Sequence, residues 1–160
     1  MNEIGEKSTD ALLHYQTLRL QDLIKEIVRC CEDRRLYESQ TFGLPYAELN
    51  CLMQFEGERY LTVKGIAQKL DVAKSRVTKI ITGLTNKGLI EQIPDPRDAR
   101  IKLISLTPEG KRKSEEIHTF IKDIHRQILL HIDLEERKNV LSYLQLLRST
   151  MEAVKGKMNG

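Results

Sequence analysis

Residues 62–106, TVKGIAQKLDVAKSRVTKIITGLTNKGLIEQIPDPRDARIKLISL, constrain this chain more than any other stretch. Val77, Ile80, Ile81 and Leu84 fall at i, i+3, i+4 and i+7, the period that lines up one stripe of an α-helix against a core. The opposite stripe carries Ser75, Thr78, Lys79, Thr82 and Asn86. That surface is suited to hydrogen-bond and neutralise a polyanion, and burying it against protein would be costly. Lys87 and Gly88 close the helix with a basic residue and a glycine cap. Upstream, the Thr62 hydroxyl can cap a shorter helix with Val63, Ile66, Ala67 and Leu70 turned inward, and Asp71 and Val72 make a tight turn between the two helices. Downstream, residues 89–93 and 101–106 read as strands. Pro94, Asp95 and Pro96 stop the first, and residues 97–100 form an arginine-tipped loop. Two helices at a tight turn followed by a hairpin make a winged helix-turn-helix over residues 45–106.

Charge is concentrated in the same region. The whole chain of 160 residues carries only +3, but residues 59–113 carry +8 and the remainder −5. A localised basic field steers a protein toward nucleic acid. The polar start, MNEIGEKSTD, has no hydrophobic signal region, and no apolar run reaches the roughly 20 residues a membrane span needs. The expectation is a cytoplasmic protein with no membrane partner. Three cysteines, Cys30, Cys31 and Cys51, two of them adjacent, do not make an even disulfide framework, so reduced thiols are expected.

The flanks read as helices. From about Asp10, Leu13, Leu20, Ile24, Ile27 and Cys31 form a stripe that Leu12, Leu23 and Val28 widen, so more than one neighbour is expected. Residues 1–9 are expected to fray. The charged run Glu32, Asp33, Arg34 and Arg35, with Gly43 and Pro45 beyond it, should end that helix. Pro45 suits the first turn of the next, where Leu49, Leu52, Met53 and Phe55 face inward. Arg59, Tyr60 and Leu61 could form a very short strand. Thr107 and Pro108 have the order of a cap and a first helical residue, leading into a stripe of Ile117, Ile121, Ile124 and Ile128 with Phe120 alongside. Asp133 and Glu136 have capping-box spacing, and Val140, Leu144, Leu147, Met151 and Val154 then step as a coiled-coil seam. The expected class is mainly α with a small β-hairpin wing. A helical dimerisation domain would come from both chain ends, residues 10–40 and 107–155.

These residues resemble the multiple-antibiotic-resistance regulator (MarR) family of bacterial winged-helix transcription factors. The likeness rests on LTVKGIAQKLDVAKSRVTKIITGLTNKGLIEQ, on Asp98 and Arg100 as a wing D-x-R, and on the exit Leu106, Thr107, Pro108, Glu109 and Gly110. The order of six helices extends it over nearly the full chain. The resemblance implies a homodimer whose N-terminal and two C-terminal helices interlock, and whose DNA affinity falls when a small ligand or oxidant acts. It also implies that Ser75, Arg76, Thr78 and Lys79 face the major groove, with Lys74 beside them and Thr82 and Asn86 further along. Arg and Lys favour guanine O6 and N7, while hydroxyls serve phosphate or base. Arg100 takes the position of the family's minor-groove arginine, with Asp98 able to hold its guanidinium in a forked pair, and Arg97 suits a phosphate contact. One departure is Ala73, where the family commonly has a capping Ser or Thr; Asp71 or Ser75 would have to compensate.

Other features leave two readings open. Cys30, Cys31 and Cys51 are either a redox switch, as in the peroxide-sensing members of the resembled family, or small buried hydrophobes. Tyr15, Tyr46 and Tyr60 either bind an aromatic or phenolic effector where the resembled family's ligands often sit, or simply pack. His14, His118, His125 and His131 form no tight cluster, so neither a metal nor a cofactor is expected. No phosphate loop, zinc-protease helix or nucleophile elbow is present, which points away from an enzyme. The expected function is a homodimeric regulator of double-stranded DNA, a repressor of a pseudo-palindromic operator released by a small ligand or signal. The alternative is a protein-interaction winged helix or a non-specific architectural DNA binder.

Overall fold

The structure, a computed structural model, describes residues 2–158, with side chains from residue 9 onward. Its elements are α1 (Asn2–Phe42), α2 (Tyr46–Met53), β1 (Leu61–Thr62), α3 (Val63–Leu70), α4 (Lys74–Asn86), β2 (Ile90–Pro94), β3 (Lys102–Leu106), α5 (Pro108–Leu130) and α6 (Leu134–Met158). Residues up to Lys111 form one compact unit, and those from Arg112 onward form a second. The class is mainly α with a small antiparallel sheet bearing the wing, as the apolar periodicities predicted.

The core of the first unit is aliphatic. Leu49, Leu52, Ile66, Val77, Leu84 and Ile104 are almost completely removed from solvent, with Leu44, Phe55, Ile80, Ile81, Leu89 and Ile90 nearly so. All four residues of the α4 stripe are therefore inside. On α3, Ile66 and Ala67 are buried, while Val63 and Leu70 are half-buried. Thr62 caps that helix as expected, its Oγ1 accepting the Gly65 N–H at 3.0 Å. Asp71 closes it in the left-handed region, φ 53°, which aspartate tolerates better than most side chains.

The sheet has the order β1-β3-β2. In the wing hairpin Ile90 pairs with Leu106, Ile93 with Leu103 and Pro94 with Lys102, while Leu61 pairs with Ile104 on the other side of β3. Pro94 is thus the last residue of the edge strand rather than its stop, a position where a missing N–H costs little. The short strand expected at residues 59–61 is instead Leu61–Thr62, sharing only Leu61 with that expectation, and it joins the wing as a third strand.

At the base of the hairpin α4, β3 and α5 are tied together. Gly88, φ 69°, ends α4 in a Schellman turn, its N–H donating to the Thr85 carbonyl at 2.9 Å and the Leu89 N–H to the Leu84 carbonyl at 3.0 Å. The Thr107 N–H donates to the Leu89 carbonyl at 3.1 Å. Thr107 Oγ1 donates to the Gly88 carbonyl at 2.7 Å and accepts the Gly110 N–H at 3.0 Å, so one side chain caps α5 and grips the end of α4.

Two boundaries differ from the sequence reading. The first helix starts at Asn2 rather than near Asp10, and it runs through Glu32–Arg35 to Phe42, ending directly before Gly43 as that glycine implied. Glu32, Arg34 and Arg35 are good helix formers, and Arg34 pairs with Glu38 one turn on, at 3.6 Å. Pro45 is the N-cap of α2, with ψ 139°, rather than its first residue.

Large apolar side chains remain uncovered on two helices. Leu12, Leu13, Leu20, Leu23, Ile27 and Val28 of α1 are exposed, distributed around well over the roughly 100° stripe of an ordinary surface helix. In the second unit α6 has no buried residue, and its seam positions Leu144, Met151 and Val154 lie about half exposed. On α5 Ile117 is buried, Ile121 and Ile124 are half-buried, and Ile128 is exposed. Arg137 closes the turn between α5 and α6 by donating Nε–H to the carbonyls of Leu129 and Ile132, at 2.8 and 3.0 Å.

A Cβ on Gly110 would overlap the Leu89 carbonyl, which is backbone and is held by Thr107. Gly110→Ala is therefore expected to lower stability by about 2–3 kcal/mol, although alanine is the better helix former. A urea midpoint equal to that of the parent chain would show that this close approach imposes no constraint.

Candidate nucleic-acid interface

The outward face of α4 is fully open. Ser75, Thr78, Lys79, Thr82 and Asn86 are exposed on the side away from the buried stripe, and Lys74, Arg76 and Thr85 are exposed along its flanks. Among the described residues Lys74, Arg76 and Lys79 make no ion pair, so their charges are available to a partner. Two of the hydroxyls are already engaged. Thr78 Oγ1 donates to the Lys74 carbonyl at 3.1 Å and Thr82 Oγ1 to the Thr78 carbonyl at 2.9 Å. Each of these two protons is therefore used inside the helix, and what Thr78 and Thr82 offer outward is an acceptor lone pair. That face combines fixed cations with neutral acceptors, a pattern suited to phosphates and to base donors at once.

The start of α4 is bare, as the sequence implied. Ala73 is the N-cap residue, with φ −65° and ψ 147°, and no side chain caps the helix. Asp71 closes α3 through its backbone N–H, which donates to the Gln68 carbonyl at 3.3 Å.

The wing presents a doubled turn, Asp95-Pro96-Arg97 followed by Asp98-Ala99-Arg100. Asp95 Oδ1 accepts the Arg97 N–H at 2.8 Å and Asp98 Oδ1 accepts the Arg100 N–H at 3.1 Å, two successive Asx-turns. The second also grips its arginine by the side chain: Arg100 donates Nε–H to Asp98 Oδ1 at 3.1 Å and Nη2–H to Oδ2 at 3.3 Å. This is the fork expected from the D-x-R spacing. The Arg100 side chain is 92% exposed, so the fork leaves it presented to solvent. Hydrogen bonds from its side chain and then its backbone hold the Asp98 carboxyl below the ordinary value of 3.8.

A second ion pair was not foreseen. Lys87, the C-cap of α4, donates Nζ–H to both oxygens of Glu48 in the first turn of α2, at 2.8 and 3.1 Å. Glu48 is 8% exposed. Its carboxylate occupies the space over Gly83 that any side chain would fill, since a Cβ there would collide with Oε1. The one visible sign was Gly83 itself, a residue that costs about 1 kcal/mol in a helix interior and so points to close packing. Lys87 thus does not add to the basic field as the charge count assumed.

The remaining candidates are dispersed. Cys51 is buried, and that burial, with the nearby Glu48 charge, pushes its thiol up to about 12, which works against a reactive thiolate there. Cys30 is exposed and Cys31 half-buried, so small buried hydrophobes describe only Cys51. Tyr46 lies under the Arg35 guanidinium and Tyr60 under that of Arg59, each 5.2 Å from the ring centre. Tyr15 is exposed on α1, about 27 residues and so about 40 Å before the end of that helix. It cannot share a pocket with Tyr46 of the same chain. Among the described residues no group of three His, Cys, Asp or Glu side chains could hold a metal, and no helix is long and apolar enough to cross a membrane.

Comparison with known proteins gives a consistent picture. The model described as the MarR family matches residues 42–101. The HTH-type transcriptional repressor MdtR of Bacillus subtilis (strain 168) is 32% identical over 130 residues, 81% of each chain. Among solved structures, the YusO protein of Bacillus subtilis is similar at 28% identity and TM-score 0.68, over 88% of this chain and 96% of that one. A mutant of MepR from S. aureus shares the fold at 21% identity and TM-score 0.73, over 81% and 96%.

Two outcomes follow at this face. Ala73→Ser is expected to raise the melting temperature, by the equivalent of about 1 kcal/mol, and no rise would mean that the start of α4 is satisfied by another route. In a carboxyl titration Asp98 is expected below 3.8, returning toward it in Arg100→Ala. A depressed carboxylate lends the wing order that is present above its ordinary value and lost as pH falls through the lowered one, so an unmoved Asp98 in that variant would mean the fork is absent in solution.

Proposed function

We propose that this chain, which belongs to the MarR family of DNA-binding transcriptional regulators, works as a homodimeric, sequence-specific repressor of a pseudo-palindromic operator in the cytoplasm. It is a regulator and not an enzyme, like the relatives it matches. One observation carries the reading: the cationic, acceptor-rich face of α4 stands open over a sealed core, while α1 and α6 leave large apolar side chains uncovered. The first feature calls for a polyanion and the second for a helical partner of the same kind. Residues 45–106 would form the DNA-binding domain, and residues 10–40 with 107–155 the dimerisation domain.

In a two-fold dimer the paired α4 helices enter successive major grooves about 34–36 Å apart, and the pseudo-palindrome of the site mirrors the protein symmetry. Ser75, Arg76, Thr78 and Lys79 meet base edges, with Lys74 and Thr82 flanking them. Arg100 reaches the minor groove, where it responds to groove width, and Arg97 meets phosphate. The relative MdtR is named a repressor, and a MepR mutant of S. aureus is described bound to an oligodeoxyribonucleotide. Release comes from a small aromatic or phenolic effector near Tyr46 and Tyr60. It acts only in so far as it prefers a spacing of the two reading helices that DNA does not.

The test compares a duplex selected from a random pool with unselected DNA across a salt series, alongside sedimentation of the free protein. The expected result is a dimer that favours the selected duplex, with Arg100→Ala weakening that binding about tenfold and leaving the dimer intact. Equal affinity for both DNAs would make it an architectural binder, binding to neither would leave a protein-interaction module, and a monomer would remove the paired reading.

A further inference from the structure

The Glu48–Lys87 pair joins two helices at the end of α4 remote from Ala73. Val77, Ile80, Ile81 and Leu84 hold α4 to the core through apolar contact, which is strong but non-directional, and the Thr107 bonds to Gly88 and Leu89 act on the chain just beyond its last turn. A turn of about 10° moves a side-chain tip at a radius of about 5–6 Å by about 1 Å, enough to spoil a hydrogen bond to a base edge. Directional restraint must come from polar contacts, and two converge here. Lys87 Nζ reaches both carboxylate oxygens of Glu48, and the carboxylate is seated over the bare backbone at Gly83, in space that a side chain there would take. Glu48 is nearly buried, while the Lys87 side chain is 40% exposed. Salt therefore screens this pair less than a surface pair.

We infer that Glu48, acting through Lys87 and the gap at Gly83, is a positioning residue for DNA recognition, fixing the rotation of α4 so that Ser75, Arg76, Thr78 and Lys79 meet the base edges together. This rests on the reading of α4 as the DNA-reading helix. It assigns Lys87 to the protein's internal frame rather than to a phosphate. Glu48 touches no DNA, so its influence falls on discrimination: phosphate contacts tolerate a small rotation of α4, whereas base contacts do not.

Glu48→Gln and Lys87→Gln, each measured at a temperature where it is fully folded, test this by titration of the selected duplex and of unselected DNA over a salt series. Both variants are expected to lose about tenfold in the ratio of the two affinities, with the salt slope of Lys87→Gln unchanged. Lys87→Arg, which keeps the pair, is expected to retain the ratio. A ratio unchanged in Glu48→Gln overturns the inference. So does a Lys87→Gln variant that loses equally on both DNAs with a slope smaller by about one, the mark of a direct phosphate contact. If the parent chain itself shows no preference, the reading of α4 fails and the positioning role fails with it; a preference that survives in Glu48→Gln removes the positioning role alone.

Discussion

The hydrogen bond from the Thr107 N–H to the Leu89 carbonyl, at 3.1 Å, is where three elements of the reader become one body. Leu89 is the residue after the glycine that ends α4, and Thr107 is the residue before α5. The bond therefore closes the hairpin base and fixes where the wing leaves the end of α4. The Thr107 hydroxyl repeats the tie on Gly88, and Gly110 brings the first turn of α5 against the same carbonyl. A wing hung on a single pair of strands would twist freely. Bound at its base to the cap of α4, it shares the orientation of that helix, and the third strand, Leu61 against Ile104, braces the far side of β3.

What was legible in the sequence was whatever leaves a periodic or local mark. The α4 stripe was readable because four apolar residues recur at helical spacing, and all four are buried. Thr62 and Thr107 were readable because a cap and its N–H lie three residues apart, and both caps are made. The Asp98–Arg100 fork was readable for the same reason, its carboxylate and guanidinium lying two positions apart. Each of these depends on neighbours in sequence.

What was not legible depends on distance or on competition. Glu48 and Lys87 are 39 positions apart, and no period links them. Strand β1 is two residues long, below the length at which alternation can be recognised, and exists because β3 offers it an edge. The run Glu32–Arg35 looked like a terminus because charges often flank helices, yet the Arg34–Glu38 contact carries α1 through it. The tyrosines appeared related because they flank the same expected junction, but the length of α1 separates Tyr15 from the others.

The two ion pairs of the reader differ chiefly in how far they are from water, and that difference assigns them opposite tasks. Arg100 is almost wholly exposed beside Asp98. A pair of this kind is worth little and is screened by salt, so a phosphate or a narrow minor groove can draw the guanidinium away at small cost. Until then the fork keeps the side chain from sampling its other rotamers, which reduces the entropy lost on binding. Glu48 is nearly buried, and removing its partner would leave an uncompensated charge away from water. DNA cannot compete for Lys87 on the same terms. The local charge of +8 therefore overstates what the reader can present, because one cation is committed inward and another is held until it is exchanged. On α4 itself the cations Lys74, Arg76 and Lys79 remain unpaired among the described residues, on the helix that the buried strut holds.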